Sequence, residues 1–154
     1  AKLEKGLVKL DPKTFATKWR SEMIITRSQV KKALDAGVPM IDTRTYDQHV
    51  GLNQHPKAKS KGTIPGSTNL PQNWLTFGGK GTFRSNDELT KIYNAAGVPT
   101  SGQQVQFCNT GHWASIGWFA GSELVGNKQT LMYDGSMVDW TADSSMPMER
   151  TINY

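Results

Sequence analysis

Cys108, the only cysteine of the chain, lies where a strand pattern stops and a helix pattern starts. Residues 105–107 alternate apolar, polar and apolar side chains, as at the end of a buried strand. Apolar and small residues recur at helical spacing from His112 to Leu124, and Gly111 allows a sharp turn before them. A helix start carries unpaired N–H groups and a partial positive charge, which favour a thiolate over a thiol. The position therefore predicts a nucleophilic cysteine.

A buried structural cysteine is the alternative, and it is the commoner role of a lone cysteine. Against it, Cys108 is followed by small and polar residues (Asn-Thr-Gly-His) instead of an apolar run. The N–H groups that favour a thiolate can also hold a persulfide, a sulfonate group of thiosulfate or a phosphate. The pattern thus indicates covalent chemistry on a small anion.

Short apolar strands alternate with amphipathic helices along the chain, which is typical of βαβ units. Strands are predicted near residues 23–26, 38–41, 67–70, 103–107 and 130–133. Longer helices are predicted after N-caps at Ser28 and at Asn86 or Asp87 and from residue 112, with short ones at 46–50 and 137–140. We therefore expect an α/β fold with a mainly parallel central sheet and helices on both faces.

Two further polar residues follow a predicted strand, as Cys108 does. Asp42 and Arg44 come at the end of the strand near residues 38–41, and they can form a local ion pair there. In parallel sheets, sites lie outside the carboxyl ends of the strands. Asp42 and Arg44 are thus expected on the same edge of the sheet as Cys108.

Four segments in chain order carry a resemblance to a known family. They are Met-Ile-Asp-Thr-Arg at 40–44, Gly-Thr-Ile-Pro-Gly-Ser-Thr-Asn-Leu-Pro at 62–71, Cys-Asn-Thr-Gly-His-Trp-Ala-Ser at 108–115 and Tyr-Asp-Gly-Ser-Met-Val-Asp-Trp at 133–140. Together they resemble the motifs of rhodanese-like sulfurtransferases, over about residues 24 to 149. The resemblance implies a three-layer rhodanese-like domain that needs no cofactor and no metal.

The resemblance also implies a reaction. Cys108 would take sulfane sulfur from thiosulfate or a persulfide donor, carry it as a persulfide, and pass it to cyanide or a thiol. Asp42 and Arg44 would support the active-site loop by hydrogen bonds and charge pairing. The substrate-binding residues would be those of the loop that follows the cysteine: Asn109, Thr110, Gly111, His112, Trp113 and Ala114.

The loop departs from many family members because it has no Lys or Arg between Cys108 and Ser115. His112 can act as a cation beside the thiolate, or it can face solvent or pack under the loop. The missing cation leaves room for a non-enzymatic role, a persulfide carrier or binding module that delivers sulfur to a protein partner. A phosphatase or arsenate reductase of the same fold ranks low, since no arginine follows the cysteine before Arg150.

The composition limits which other classes of protein are possible. The chain has 154 residues and a net charge of +5, enough for one domain with a core and a surface that attracts anions. The basic residues are spread along the sequence without a nucleic-acid-binding signature, so no nucleic-acid partner is expected. No apolar run approaches a membrane span, and the three histidines lack zinc-site spacing.

Residues 1–22 are expected to form an N-terminal extension, with a short helix at 14–19 that packs Phe15 and Trp19, and residues 23–154 to form the domain. Lys57, Lys59 and Lys61 alternate in the loop at 51–62, which is either flexible and solvated or a positive rim for an anion. The chain starts at Ala1 without methionine, and its loop resembles that of periplasmic members. Both favour an exported bacterial protein without its signal peptide, with a cytoplasmic location as the alternative.

Overall fold

A computed structural model of the chain describes residues 5–6, 11–18, 20–78 and 81–152. In it, helices and strands alternate: α1 (Arg27–Asp35), β1 (Met40–Asp42), α2 (Tyr46–His49), β2 (Thr68–Asn69), α3 (Asn86–Ala95), β3 (Gln104–Phe107), α4 (His112–Phe119), β4 (Thr130–Met132) and α5 (Ser136–Trp140). The strands form one sheet in the order β2-β1-β3-β4, and every pairing is parallel. The predicted α/β class is confirmed.

Apolar side chains cover both faces of the sheet, because alternate residues of a buried strand point to opposite sides. On β1, Met40 faces a cluster with Val30 of α1 and Trp140 of α5. Its neighbour Ile41 faces a second cluster that includes Leu89 of α3. Helices therefore lie on both sides of the sheet, and the three-layer arrangement is confirmed.

The two longer helices that precede β1 and β3 begin with a capping box, although not at the predicted residues. Thr26, not Ser28, caps α1 together with Gln29. Ser85, not Asn86 or Asp87, caps α3 together with Glu88, whose carboxylate accepts from the Ser85 N–H at 2.9 Å. In both helices the side chain three residues after the cap accepts a hydrogen bond from the backbone N–H of the cap. This bond explains why the caps are Thr26 and Ser85 and not the later residues predicted.

Two predicted elements are wrong. The strand expected at 23–26 is a 3₁₀ turn (Ser21–Met23) followed by a single bridge from Ile24 to Met132. Residues 11–18 form no helix, and Phe15 is 84% exposed instead of packed. Trp19 lies outside the described residues, and the domain boundary at residue 22 stays a prediction.

The helix predicted from residue 112 changes character part-way. It is α-helical to Phe119 and continues as a π-helical turn over Ala120–Leu124. The loop at 51–62 has no helix or strand, but it packs on the domain through the buried Ala58 and an N–H···O bond of 2.9 Å from Lys59 to Thr141 Oγ1. Among the described helices, none has the length and apolar character needed to span a bilayer.

Candidate active site

Cys108 is the first residue after β3, and the chain turns there into α4. The turn needs Gly111, whose φ of +86° lies in the left-handed region and whose missing Cβ would collide with the Asp134 carboxylate. The N–H groups in the first turn of α4 have no carbonyl partner within the helix. The structure therefore places the cysteine between the end of β3 and the start of α4, as the sequence predicts.

The start of α5 holds the cysteine in place. The Cys108 N–H donates to Ser136 Oγ at 3.0 Å, and that oxygen lies 3.8 Å from Cys108 Sγ. The Ser136 hydroxyl donates to the Tyr133 carbonyl oxygen at 2.8 Å. Ser136 itself has a φ of 50°, which is uncommon outside glycine. Ser136 belongs to the motif at 133–140, but nothing in the sequence indicates this role for it.

Replacing Ser136 with alanine should affect both the stability of the fold and the reactivity of Cys108. The change leaves the buried Cys108 N–H without its acceptor, which costs about 1–3 kcal/mol of stability. Because the freed N–H belongs to Cys108, we expect reactions of its thiol to slow about tenfold. The measurements are urea unfolding and the rate of thiol alkylation. Ser144→Ala, on an exposed serine beyond α5, is the control, and an equal loss of rate in both variants would contradict the role given to Ser136.

A cleft of about 250 Å³ opens above Cys108. Its lining residues are His55, Cys108, Asn109, Thr110, His112 and Trp113. Five of the seven predicted site residues of the cysteine loop are thus brought together on the cleft, while Gly111 and Ala114 are buried in the turn and lie outside this lining. Their backbone role toward a substrate stays a prediction.

His112 is the first residue of α4 and is exposed at the cleft, so it does not pack under the loop. Its Nδ1 lies 3.3 Å from Thr110 Oγ1. The Ser115 hydroxyl donates to the His112 carbonyl oxygen at 2.7 Å. These bonds fix the first turn of α4 at the mouth of the cleft.

Asp42 and Arg44 form a buried ion pair and do not line the cleft. Arg44 donates from Nε at 2.9 Å and from its terminal nitrogen at 2.6 Å to the two Asp42 carboxylate oxygens. Thr63 Oγ1 donates to the same carboxylate at 2.9 Å, and His49 Nδ1 lies 3.1 Å from it. Burial alone raises the pKa of Asp42, but the charge of Arg44 and the hydrogen bonds outweigh it and lower the pKa to about 2.

Two neighbours of this pair in the sequence, Thr43 and Gln48, contact the segment around Cys108. The Thr43 N–H and hydroxyl both donate to the Phe107 carbonyl oxygen, at 2.9 and 2.8 Å, directly before Cys108. On α2, Gln48 Oε1 accepts from Asn109 Nδ2 at 2.8 Å. The supporting role of Asp42 and Arg44 toward the loop stays a prediction, and no motif in the sequence indicates Gln48.

Three basic residues from elsewhere in the chain, Arg150, Lys57 and Lys59, lie outside the lining of the cleft. Arg150 donates to the Lys61 carbonyl oxygen at 2.9 Å, and the described Lys57 and Lys59 are exposed outside the lining. Within the described residues, no group of three or more histidine, cysteine or acidic side chains is placed to hold a metal ion. The site can present one buried thiol, next to the start of α4, to a small substrate.

A model of the rhodanese-like domain family matches residues 26–143. The chain belongs to this family. Two curated relatives agree with the assignment. One, from Haloferax volcanii and named "Putative thiosulfate sulfurtransferase", is 35% identical over 130 residues, which are 80% of this chain and 45% of that protein. The other, the thiosulfate sulfurtransferase of Corynebacterium glutamicum, is 32% identical over 119 residues, 73% of this chain and 38% of that protein.

This rhodanese-like chain spans less than half the length of those curated relatives. The same fold is seen in the crystal structure of Tum1 protein from Saccharomyces cerevisiae, with a TM-score of 0.73 and 22% identity over 86% of this chain and 48% of that one. Both curated relatives are named as thiosulfate sulfurtransferases.

Proposed function

We propose that this rhodanese-like chain transfers sulfane sulfur through a persulfide on Cys108. The observation that carries the proposal is the position of Cys108, buried at the base of the cleft, directly after β3 and before the first turn of α4. Cys108 is the nucleophile there, and the N–H groups of the turn can hold the charge of the sulfur that it receives.

The reaction consists of two displacements. The Cys108 thiolate attacks the outer sulfur of thiosulfate or of a persulfide, the new S–S bond forms, and sulfite or a thiolate leaves with the electron pair of the old bond. Cyanide or a thiolate then attacks the outer sulfur of the Cys108 persulfide, which releases thiocyanate or a new persulfide and restores the thiolate. No outside electron donor or acceptor is needed.

Intact mass after incubation with sulfur donors tests the proposal. We expect a gain of one sulfur atom in the wild type, removal of that atom by cyanide, and no gain in Cys108→Ser, since the chain has no other cysteine. Failure of every donor to add sulfur, or equal addition in Cys108→Ser, would contradict the proposal.

Persulfide carriage to a protein partner is the alternative use of the same residue. Its signature would be a Cys108 persulfide that forms readily but is not discharged by cyanide or small thiols at a useful rate. Export to the periplasm stays a prediction, which fractionation of cells that produce the natural protein would test.

A further inference from the structure

Gly117 lies inside α4, where glycine is normally unfavourable. Within a helix glycine is less stable than alanine, because its backbone loses more freedom on folding. Alanine does not fit at this position, since a Cβ on Gly117 would lie 2.6 Å from Thr43 Cγ2 and 2.6 Å from Gln106 Oε1. Both distances are well below ordinary van der Waals contact. The helix therefore packs on the sheet through its backbone at this residue.

The two side chains that contact Gly117 have little freedom to move away. Thr43 is fully buried, and its hydroxyl donates to the Phe107 carbonyl oxygen at 2.8 Å. A rotation that carried Cγ2 away from the helix would break this bond. Gln106 is fully buried on β3, so its amide can shift only within a close-packed core. A side chain on residue 117 would thus push α4 away from the sheet.

A third contact reaches the same residue from α3. The Tyr93 hydroxyl donates to the Gly117 carbonyl oxygen at 3.3 Å, and the Tyr93 side chain is fully buried. Thr43 approaches from the end of β1 and Gln106 from β3. Three elements of the domain therefore meet α4 at one glycine, which fixes the height of the helix above the sheet there.

A second glycine contact fixes the start of the same helix. Gly111 is the N-cap of α4 and fits against Asp134, as described above. Gly117 lies six residues later, which is about 9 Å along a helix that rises 1.5 Å per residue. Two contacts at this separation determine the direction of the helix axis. That direction decides how the N–H groups of the first turn face Cys108.

We propose that Gly117 is a positioning residue for the reaction of Cys108. Its close approach to Thr43 and Gln106 sets the tilt of α4, and the tilt sets how the first turn of the helix meets the charge on the reacting sulfur. Gly117 does not line the cleft and acts only through the helix. The inference rests on the proposed sulfur transfer through Cys108.

Alkylation of Cys108 by two reagents of similar size reports on the helix start. Iodoacetate is an anion and iodoacetamide is neutral, while the sulfur that attacks them is the same. A helix start favours anions, so the ratio of the iodoacetate rate to the iodoacetamide rate depends on how the first turn faces the sulfur. We expect Gly117→Ala to lower this ratio about threefold. It should also lower kcat/KM for sulfur transfer about tenfold.

Gly78→Ala is the matched control, because a Cβ on Gly78 would have no atom within 4 Å and the residue lies outside the cleft lining. It should leave the ratio and the rate unchanged. Thr43→Ser removes Cγ2 and keeps the hydroxyl that donates to Phe107. Gln106→Leu removes an amide that has no hydrogen-bond partner among the described residues. Adding both changes to Gly117→Ala should restore most of the ratio and the rate.

An unchanged ratio in Gly117→Ala, even with both reagents slowed, would overturn the proposal, and so would a triple variant without recovery. If Gly117→Ala does not fold, Tyr93→Phe takes its place, because it removes only the hydroxyl that donates to the Gly117 carbonyl oxygen. Its ratio should fall about twofold, and an unchanged ratio would again overturn the proposal. If no donor adds sulfur to the wild type by intact mass, the proposed function is wrong, while the alkylation ratio still decides the role of Gly117.

Discussion

Replacing Asp42 with asparagine should lower the free energy of unfolding by about 3–5 kcal/mol, the usual cost of removing one partner of a buried ion pair. Asp42 is fully buried and Arg44 is 2% exposed, so water cannot replace the lost carboxylate charge. The asparagine also offers a weaker acceptor to Thr63 and His49. The guanidinium would remain buried beside a neutral amide.

The same carboxylate makes the stability of the wild type depend on pH. Folding lowers the pKa of Asp42 from 3.8 to about 2, mainly through Arg44 and in spite of burial. The folded state thus binds this proton less readily than the unfolded state, and the stabilisation is complete above about pH 4 and lost as the pH falls through 2. The shift corresponds to about 2 kcal/mol. The difference in the free energy of unfolding between the wild type and Asp42→Asn should therefore decrease as the pH falls over this range.

Urea unfolding at several pH values measures both effects. Asp35→Asn is the matched control, because Asp35 pairs with Lys31 on an exposed helix surface, and we expect a loss of no more than about 1 kcal/mol there. If Asp42→Asn does not fold, the double variant Asp42→Asn with Arg44→Met removes the uncompensated charge and should recover part of the stability. A double variant less stable than Asp42→Asn would contradict a dominant role for the buried charge.

The elements that the sequence predicts well are those with a local pattern. β1 and β4 are short, mostly apolar segments, β3 alternates polar and apolar residues, and the helical spacing after Gly111 is visible in the sequence. The position of Cys108 can be predicted because the strand before its loop and the helix after it each have their own periodicity. The capping residues Thr26 and Ser85 are also marked in the sequence, since Gln29 and Glu88 follow three residues later, and the predicted caps lie one or two residues too late.

The rest of the site depends on contacts between distant segments. Gln48 and Asn109 are 61 residues apart, and Cys108 and Ser136 are 28 apart. The loop at 51–62 has no periodicity, so nothing in its sequence indicates that His55, and not its lysines, lines the cleft. The strand predicted at 23–26 is wrong for a related reason. Whether a segment at a sheet edge forms a strand depends on its pairing with the neighbouring strand and not on propensity alone.

Gly111→Ala should reduce sulfur transfer by about a hundredfold or more, the scale on which small displacements of a reacting group act. The Cβ of an alanine would collide with Asp134 Oδ1 and would lie 3.0 Å from the Asp134 carbonyl oxygen. The φ of +86° adds a second penalty, since L residues rarely adopt it. The collision can be relieved only if the turn moves. Because this turn joins Cys108 to the first N–H groups of α4, their relative positions would change. The measurement is kcat/KM for sulfur transfer, with intact mass to follow loading of Cys108.

Gly126→Ala separates the effect on the site from the effect of backbone strain. Gly126 has a φ of +90° and no atom within 4 Å of a built Cβ, so it carries the same conformational penalty in open space. We expect it to lose about 1 kcal/mol of stability and to keep its activity. Adding Asp134→Ala to Gly111→Ala removes the carboxylate from the collision and should restore part of the rate. Equal activity losses in Gly126→Ala and Gly111→Ala, or no rescue by Asp134→Ala, would mean that the fit of Gly111 against Asp134 does not position the nucleophile.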